Sequence, residues 1–334
     1  MESSSDNSRT RELYKKFDEI FEYQVKPYIE KIMPRDKFSA PVYYILDNFV
    51  MRRFRSGLPV LIAKSYGIGM EKVLPLAAAN ELMFAIALVQ DDFFDNSSVR
   101  GEIESAHIKF GVRAAMASSD YCYTYAIKIL RELEKTNIDK SILNKIYDSF
   151  TEIQERVFAS FLMEILNEAN LEFTANDVLE LHKAKTVHGT NLTYCVGLLC
   201  EEKEAGLADK LLNYSTNIAI AGQIKNDIYD ITRYSKTRGF VDLINGYQTY
   251  LLAKLIDSLN EKELGELGIL FKQGKAGEIV KIMAEKNIIE KSISDQKEYI
   301  QKARDILKKI ENPEVSLILN TWADGSEVRE YPSG

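Results

Sequence analysis

Two short acidic stretches carry residues whose type and spacing suit a defined chemistry. In ELMFAIALVQDDFFDNSSVRG, Asp91, Asp92 and Asp95 stand at i, i+1 and i+4 directly after an apolar run. On a helix Asp91 and Asp95 share a face, and like charges at that spacing repel unless a cation neutralises them. Hard oxygen ligands on one face suit magnesium bridging a substrate's phosphates. One such stretch alone also matches an acidic helix end bathed in water. The segment AGQIKNDIYDIT repeats the spacing with Asn226, Asp227 and Asp230, again inside an apolar helical run. Two matched clusters argue against solvated faces. On opposing helices of a bundle they form a divalent-metal clamp above an apolar shaft, a shape for a diphosphate head and a greasy tail. Cations there stabilise the charge on a departing diphosphate, and a dry pocket protects the allylic carbocation left behind.

The elements that position these clusters read as helices. Proline falls at 27, 34, 41, 59 and 75 and then not again until Pro313, leaving a long span for uninterrupted helices. Within it, stretches such as 145–169 and 210–232 place apolar residues at three- and four-residue steps, separated by short Gly, Asn or Asp breaks. No period-two stretch and no solenoid repeat is present, so a sheet is not needed. The expected fold is all-α: one domain over 11–322, of roughly ten helices around a central cavity, after a disordered start at 1–10 and before a tail at 323–334.

Composition narrows the function classes. The 334 residues are 46% hydrophobic and 28% charged, enough for a large core, and the net charge of −7 disfavours a nucleic-acid surface. Cys122, Cys195 and Cys200 make no disulfide framework, and no Cys/His spacing suits zinc. The first ten residues do not resemble a secretory signal, and no apolar run is long enough to predict a transmembrane helix, so a cytoplasmic setting is expected.

From about Arg52 to Thr249 these motifs resemble, in the expected order, the trans-isoprenyl diphosphate synthase (polyprenyl synthetase) family, with DDFFD in a farnesyl- or geranylgeranyl-type context. The resemblance implies an isoprenoid synthase-type fold and magnesium as cofactor, three ions with the diphosphate bound. It implies Asp91, Asp95, Asn226 and Asp230 as metal ligands, supported by Asp92 and Asp227. Arg100, Lys185 of the pair Lys185-Thr186, and Lys236 match basic ligands of an allylic prenyl diphosphate. Gln223 matches a glutamine near the growing cation, and with Lys185 joins the catalytic set. Arg52 and Arg55 in MRRFRSG match the basic residues of the isopentenyl diphosphate half-site. Homodimerisation is expected from the family alone.

The chain also departs from the pattern. Phe84 stands where the family has His or Gln seven residues before the first motif, and Gly101 where an RRG triplet has its second arginine. Asn226 replaces an aspartate, keeping an oxygen ligand but no charge, and Tyr247 replaces a lysine. A weakened isopentenyl diphosphate site leaves a terpene synthase acting on one prenyl diphosphate as the alternative, with a non-catalytic partner subunit or metal-binding helical scaffold as readings of another class. Ile86 and Ala87, small residues before the first motif, suggest an open shaft and a product longer than farnesyl. His107, His182 and His188 read as structural, the last two flanking Lys185 at minus three and plus three.

Overall fold

A computed structural model describes residues 3–48, 53–166, 170–232 and 240–328. Arg52, Lys236 and residues 329–334 of the expected tail therefore lie outside the described residues.

The described residues are almost wholly helical. In chain order the helices are α1 (Ser3–Ile20), α2 (Lys26–Ile32), α3 (Ala40–Asn48), α4 (Phe54–Ser65), α5 (Met70–Phe94), α6 (Ala106–Phe110), α7 (Val112–Leu130), α8 (Lys140–Leu166) and α9 (Ala175–Lys185). They continue with α10 (Val187–Cys200), α11 (Leu207–Thr232), α12 (Val241–Asn245), α13 (Tyr250–Ile256), α14 (Glu261–Lys272), α15 (Ala276–Glu285), α16 (Ile288–Leu307) and α17 (Pro313–Ser326). Among the described residues the only strands form a hairpin of β1 (Val99–Arg100) and β2 (Ile103–Glu104), paired Val99 to Glu104 and Arg100 to Ile103. Two residues per strand are too few to leave a period-two signature. Residues 3–10, read from sequence as a disordered start, open α1, and 323–326 close α17. Pro59 and Pro75 lie inside α4 and α5, so these prolines do not end helices as the sequence suggested.

The chain divides into two compact units, each made of separate stretches. The first comprises 1–155, 188–212 and 308–322; the second comprises 156–187, 213–307 and 323–334. Each is described by itself.

The first unit is built on α5. Its run from Pro75 to Val89 is buried on every side, which requires mostly apolar residues around the whole helix rather than one stripe. By length and composition α5 resembles a membrane span, but 83% of its most apolar window is buried inside the protein, as in a core helix. Helix α7 packs along α5 through the small buried residues Ala115, Ser118, Ser119, Cys122 and Ala126, whose helical spacing forms one narrow face. Gly197 marks a similarly close approach: a Cβ there would stand 2.4 Å from the Cα of Ala208.

The second unit gathers around the later half of α11. Ile224 and Ile228 join Val178 of α9, Leu251 and Leu255 of α13, and Ile279 and Met283 of α15 in one buried cluster. A Thr174–Asp177 capping box starts α9 and an Asn260–Glu263 box starts α14, each satisfying two backbone donors that a helix N-terminus leaves open.

Candidate active site

The first acidic motif forms the last turn of α5. The Asp95 N–H donates to Asp91 O at 2.8 Å as the helix closes, and Asn96 turns the chain away at φ 52°. The hairpin then brings the next basic residue back. Gly101 sits at φ 64°, and a positive φ at the first central position suits the two-residue II′ hairpin loop. This explains the glycine where the family pattern has arginine: a side chain there is strained.

The returning residue is Arg100, whose Nε donates to Asp92 Oδ1 at 2.7 Å and Nη2 to Asp91 Oδ2 at 2.6 Å. The adjacent charges of Asp91 and Asp92 are thus bridged by a guanidinium of the chain itself, while the repulsion expected was between Asp91 and Asp95. Burial opposes the charge on Arg100, but Asp91 and Asp92 outweigh it and its pKa rises. Burial lifts the Asp92 carboxyl above its ordinary range despite Arg100. Asp92 is 1% exposed, and its Oδ2 has no hydrogen-bond partner.

Among the described residues no three His, Cys, Asp or Glu side chains form a ready-made cage. Magnesium commonly takes one or two protein carboxylates and completes its octahedron with water and substrate phosphate, so the partly exposed Asp91 carboxylate, unlike the buried Asp92, fits it without such a cage.

Near the other end of the first unit's polar core, two arginines take different roles. Arg53 is buried: it donates to Leu46 O at 2.6 Å, lies 3.6 Å from Glu81 Oε2, and stacks 3.6 Å over Phe21. Glu81, 1% exposed, also accepts from Ser56 Oγ at 2.7 Å. Arg55, expected as a phosphate ligand, is half-buried and stacks on aromatic rings, 3.6 Å over Phe84 and 4.6 Å over Phe54. It makes no hydrogen bond or ion pair among the described residues, and burial, reinforced by Arg53 and opposed by Glu81, pushes its pKa down to about 10. The Phe84 ring also meets His188 edge-on, centroids 5.6 Å apart at 77°. His188 Nδ1 lies 3.3 Å from Asn80 Oδ1, and burial, with Arg55 nearby, pushes the imidazole down to about 3, leaving it neutral.

In the second unit Lys185 ends α9 and forms an ion pair with Glu164 of α8. One turn earlier, His182 Nε2 lies 3.4 Å from Asp227 Oδ2, which also accepts the Tyr250 N–H at 2.7 Å. The lysine helix and the second acidic motif are therefore tied together at Asp227, which is buried. Asn226 is exposed and Asp230 half-buried, one turn apart on α11, and Gln223, also half-buried, lies one turn before them. The expected residues thus fall into three groups: Asp91, Asp92 and Arg100 with Asp95 one turn on; Arg55 among aromatics; and Lys185 with Gln223, Asn226, Asp227 and Asp230.

Residues 36–286 match the polyprenyl synthetase family model. The chain belongs to the polyprenyl synthetase family. A relative in this family, the geranylgeranyl diphosphate synthase of Saccharolobus solfataricus, is 28% identical over 209 residues, 61% of this chain and 63% of that enzyme. The geranylgeranyl pyrophosphate synthetase of Pyrococcus horikoshii superposes with a TM-score of 0.80 at 20% identity, covering 99% of this chain and all of that one. The geranylgeranyl pyrophosphate synthase of Corynebacterium glutamicum, solved with isoprenyl diphosphate and magnesium, gives 0.74 at 18% identity, covering 96% of this chain and 99% of that one. The fold is that of the isoprenoid synthases, and as a family member the chain is a prenyltransferase of the isoprenoid diphosphate class.

Sequence reasoning missed several side chains that hold this machinery. Glu164 is the sole charge in the run Val157–Leu166, a signal that was available. Arg53 was overshadowed by Arg52 and Arg55. The contacts of His182 and His188 join residues 45 and 108 positions apart, which no local spacing encodes.

Proposed function

We propose that the chain is a magnesium-dependent synthase that ionises an allylic prenyl diphosphate and transfers the prenyl group to isopentenyl diphosphate. Asp91 and Asp95 of the first motif, with Asn226 and Asp230 of the second, would hold the metal. Bound magnesium would supply positive charge against the diphosphate leaving group. Arg100, Lys185 and Lys236 take phosphate oxygens, and Asp92 and Asp227 hold their neighbours in place through Arg100 and His182. Gln223 accompanies the allylic end. The allylic C–O bond breaks with its electron pair leaving on the diphosphate, the acceptor alkene forms the new C–C bond, and a proton is lost. A homodimer in a cytoplasmic setting accompanies this reading.

The observation that carries the choice of acceptor is Arg55. A guanidinium with no hydrogen bond among the described residues, stacked on Phe84 and Phe54, is suited to an incoming phosphate. Relatives named for prenyl diphosphate synthesis also favour transfer over cyclisation. The test is mass spectrometry of products from farnesyl or geranylgeranyl diphosphate with magnesium, with and without isopentenyl diphosphate. A longer prenyl diphosphate only when isopentenyl diphosphate is present supports the reading; a hydrocarbon or alcohol from the allylic substrate alone overturns it in favour of a terpene synthase.

A further inference from the structure

His188 and Asn80 form a buried polar pair whose hydrogen bonding is left half complete. The side chains are 2% and 0% exposed, they meet at 3.3 Å, and both His188 Nε2 and Asn80 Nδ2 lack any partner. Buried polar atoms without partners are destabilising and uncommon, so two in one pair call for an explanation. The surroundings supply it. Asn80 and Phe84 lie one turn apart on α5, and the Phe84 ring has Arg55 over its face and His188 at its edge. One aromatic ring thus contacts both a guanidinium with no hydrogen bond among the described residues and an imidazole whose Nε2 has no partner. Both sit in the same compact unit.

We infer that His188, oriented by Asn80, is an anion ligand that works with Arg55 beside the Phe84 ring and binds the diphosphate of the acceptor substrate. This rests on the chain-elongation reading above. It means that loss of a polar side chain at 84 has not emptied this half-site, because α10 supplies one against the same ring. Asn80 makes the imidazole adaptable. Its amide can accept from Nδ1–H, leaving a lone pair on Nε2, or, rotated by half a turn, donate to Nδ1 and leave Nε2–H as a donor. The rotation exchanges Asn80 Oδ1 and Nδ2 and leaves the imidazole in place, and an anion selects the donor form. His188 stays neutral beside Arg55, so recognition adds a directed hydrogen bond without placing a second buried cation next to the guanidinium.

The test compares His188→Leu, which keeps the bulk, with His188→Gln, whose amide nitrogen replaces Nε2, in the full-length protein with magnesium. For His188→Leu the KM for isopentenyl diphosphate should rise about tenfold or more, the effect of one hydrogen bond to a charged group, while the KM for farnesyl diphosphate stays unchanged. His188→Gln should return the acceptor KM to within about threefold of wild type. A purely structural role would instead lower thermal stability and raise both KM values or neither. An unchanged acceptor KM in a folded His188→Leu protein overturns this inference and leaves elongation intact. If wild type makes no isopentenyl-dependent product, the elongation reading fails, and calorimetric titration of inorganic pyrophosphate without magnesium then decides. Weaker binding in His188→Leu than in wild type retains the anion site, and equal binding removes it.

Discussion

Replacing Arg55 by methionine should make the protein more stable and a poorer enzyme. Burial pushes Arg55 from 12.5 to about 10. At about 1.4 kcal/mol per factor of ten, that opposes the charged form by roughly 3 kcal/mol. Stacking over Phe84 at 3.6 Å offsets about 1 kcal/mol of this. No hydrogen bond among the described residues is lost, and methionine keeps the packing against Phe54 and Phe84, so Arg55→Met should stabilise by ~2 kcal/mol. The sign holds across the working range: a base whose folded pKa is depressed carries its whole penalty below that value, and the penalty fades only as pH rises from about 10 toward 12.5. Urea denaturation at pH 7 measures the gain, and the KM for isopentenyl diphosphate, expected to rise about 10- to 100-fold, measures the loss. A variant less stable than wild type, or one with an unchanged acceptor KM, refutes the reasoning.

Asp91→Ala should lower kcat/KM by at least about 100-fold with little change in melting temperature, because it removes a proposed metal ligand that is partly exposed and leaves Arg100 paired with Asp92. Asp92→Asn should behave in the opposite order, destabilising by about 1–2 kcal/mol in denaturant titration as Arg100 loses one of its two carboxylate partners and keeps Asp91. Gly101→Arg, attractive as a way to restore the family's second arginine, should destabilise by about 1–2 kcal/mol at φ 64° and weaken acceptor use; a gain in isopentenyl diphosphate affinity would contradict the hairpin argument. Glu204 is buried, which raises its pKa, but hydrogen bonds from Tyr66, Lys210 and the Glu311 N–H outweigh burial and hold it below 4.5. Its stabilisation is therefore full above pH 4.5 and lost as pH falls through the folded value, so the stability gap between wild type and Glu204→Gln should shrink in acid denaturation.

The acidic motifs and the helical body were legible because each rests on local spacing: Asp91 to Asp95, Asn226 to Asp230, and the apolar steps between breaks. The Arg100 clasp on Asp91 and Asp92 depends on a two-residue turn at Gly101, which sequence reading took as a lost ligand rather than as turn chemistry. Pro75 looked like a boundary, yet α5 runs through it, because burial of the run from Pro75 to Val89 outweighs one missing N–H. Arg55 was found by its motif, but its stacking on Phe84 and Phe54, with no hydrogen bond among the described residues, emerges only from packing. The unit boundaries left no trace in composition, since those near 155, 212 and 322 fall inside α8, α11 and α17.

The interleaved chain path has a consequence for how this protein can be taken apart. Neither compact unit is a contiguous stretch, so no single cut or truncation point yields one of them whole. Fragment expression, domain swapping by recombination and tag-and-cleave dissection each presuppose a modular gene, and this one has no such seam. The two units must therefore be probed residue by residue within the whole chain, as at Phe84 and His188.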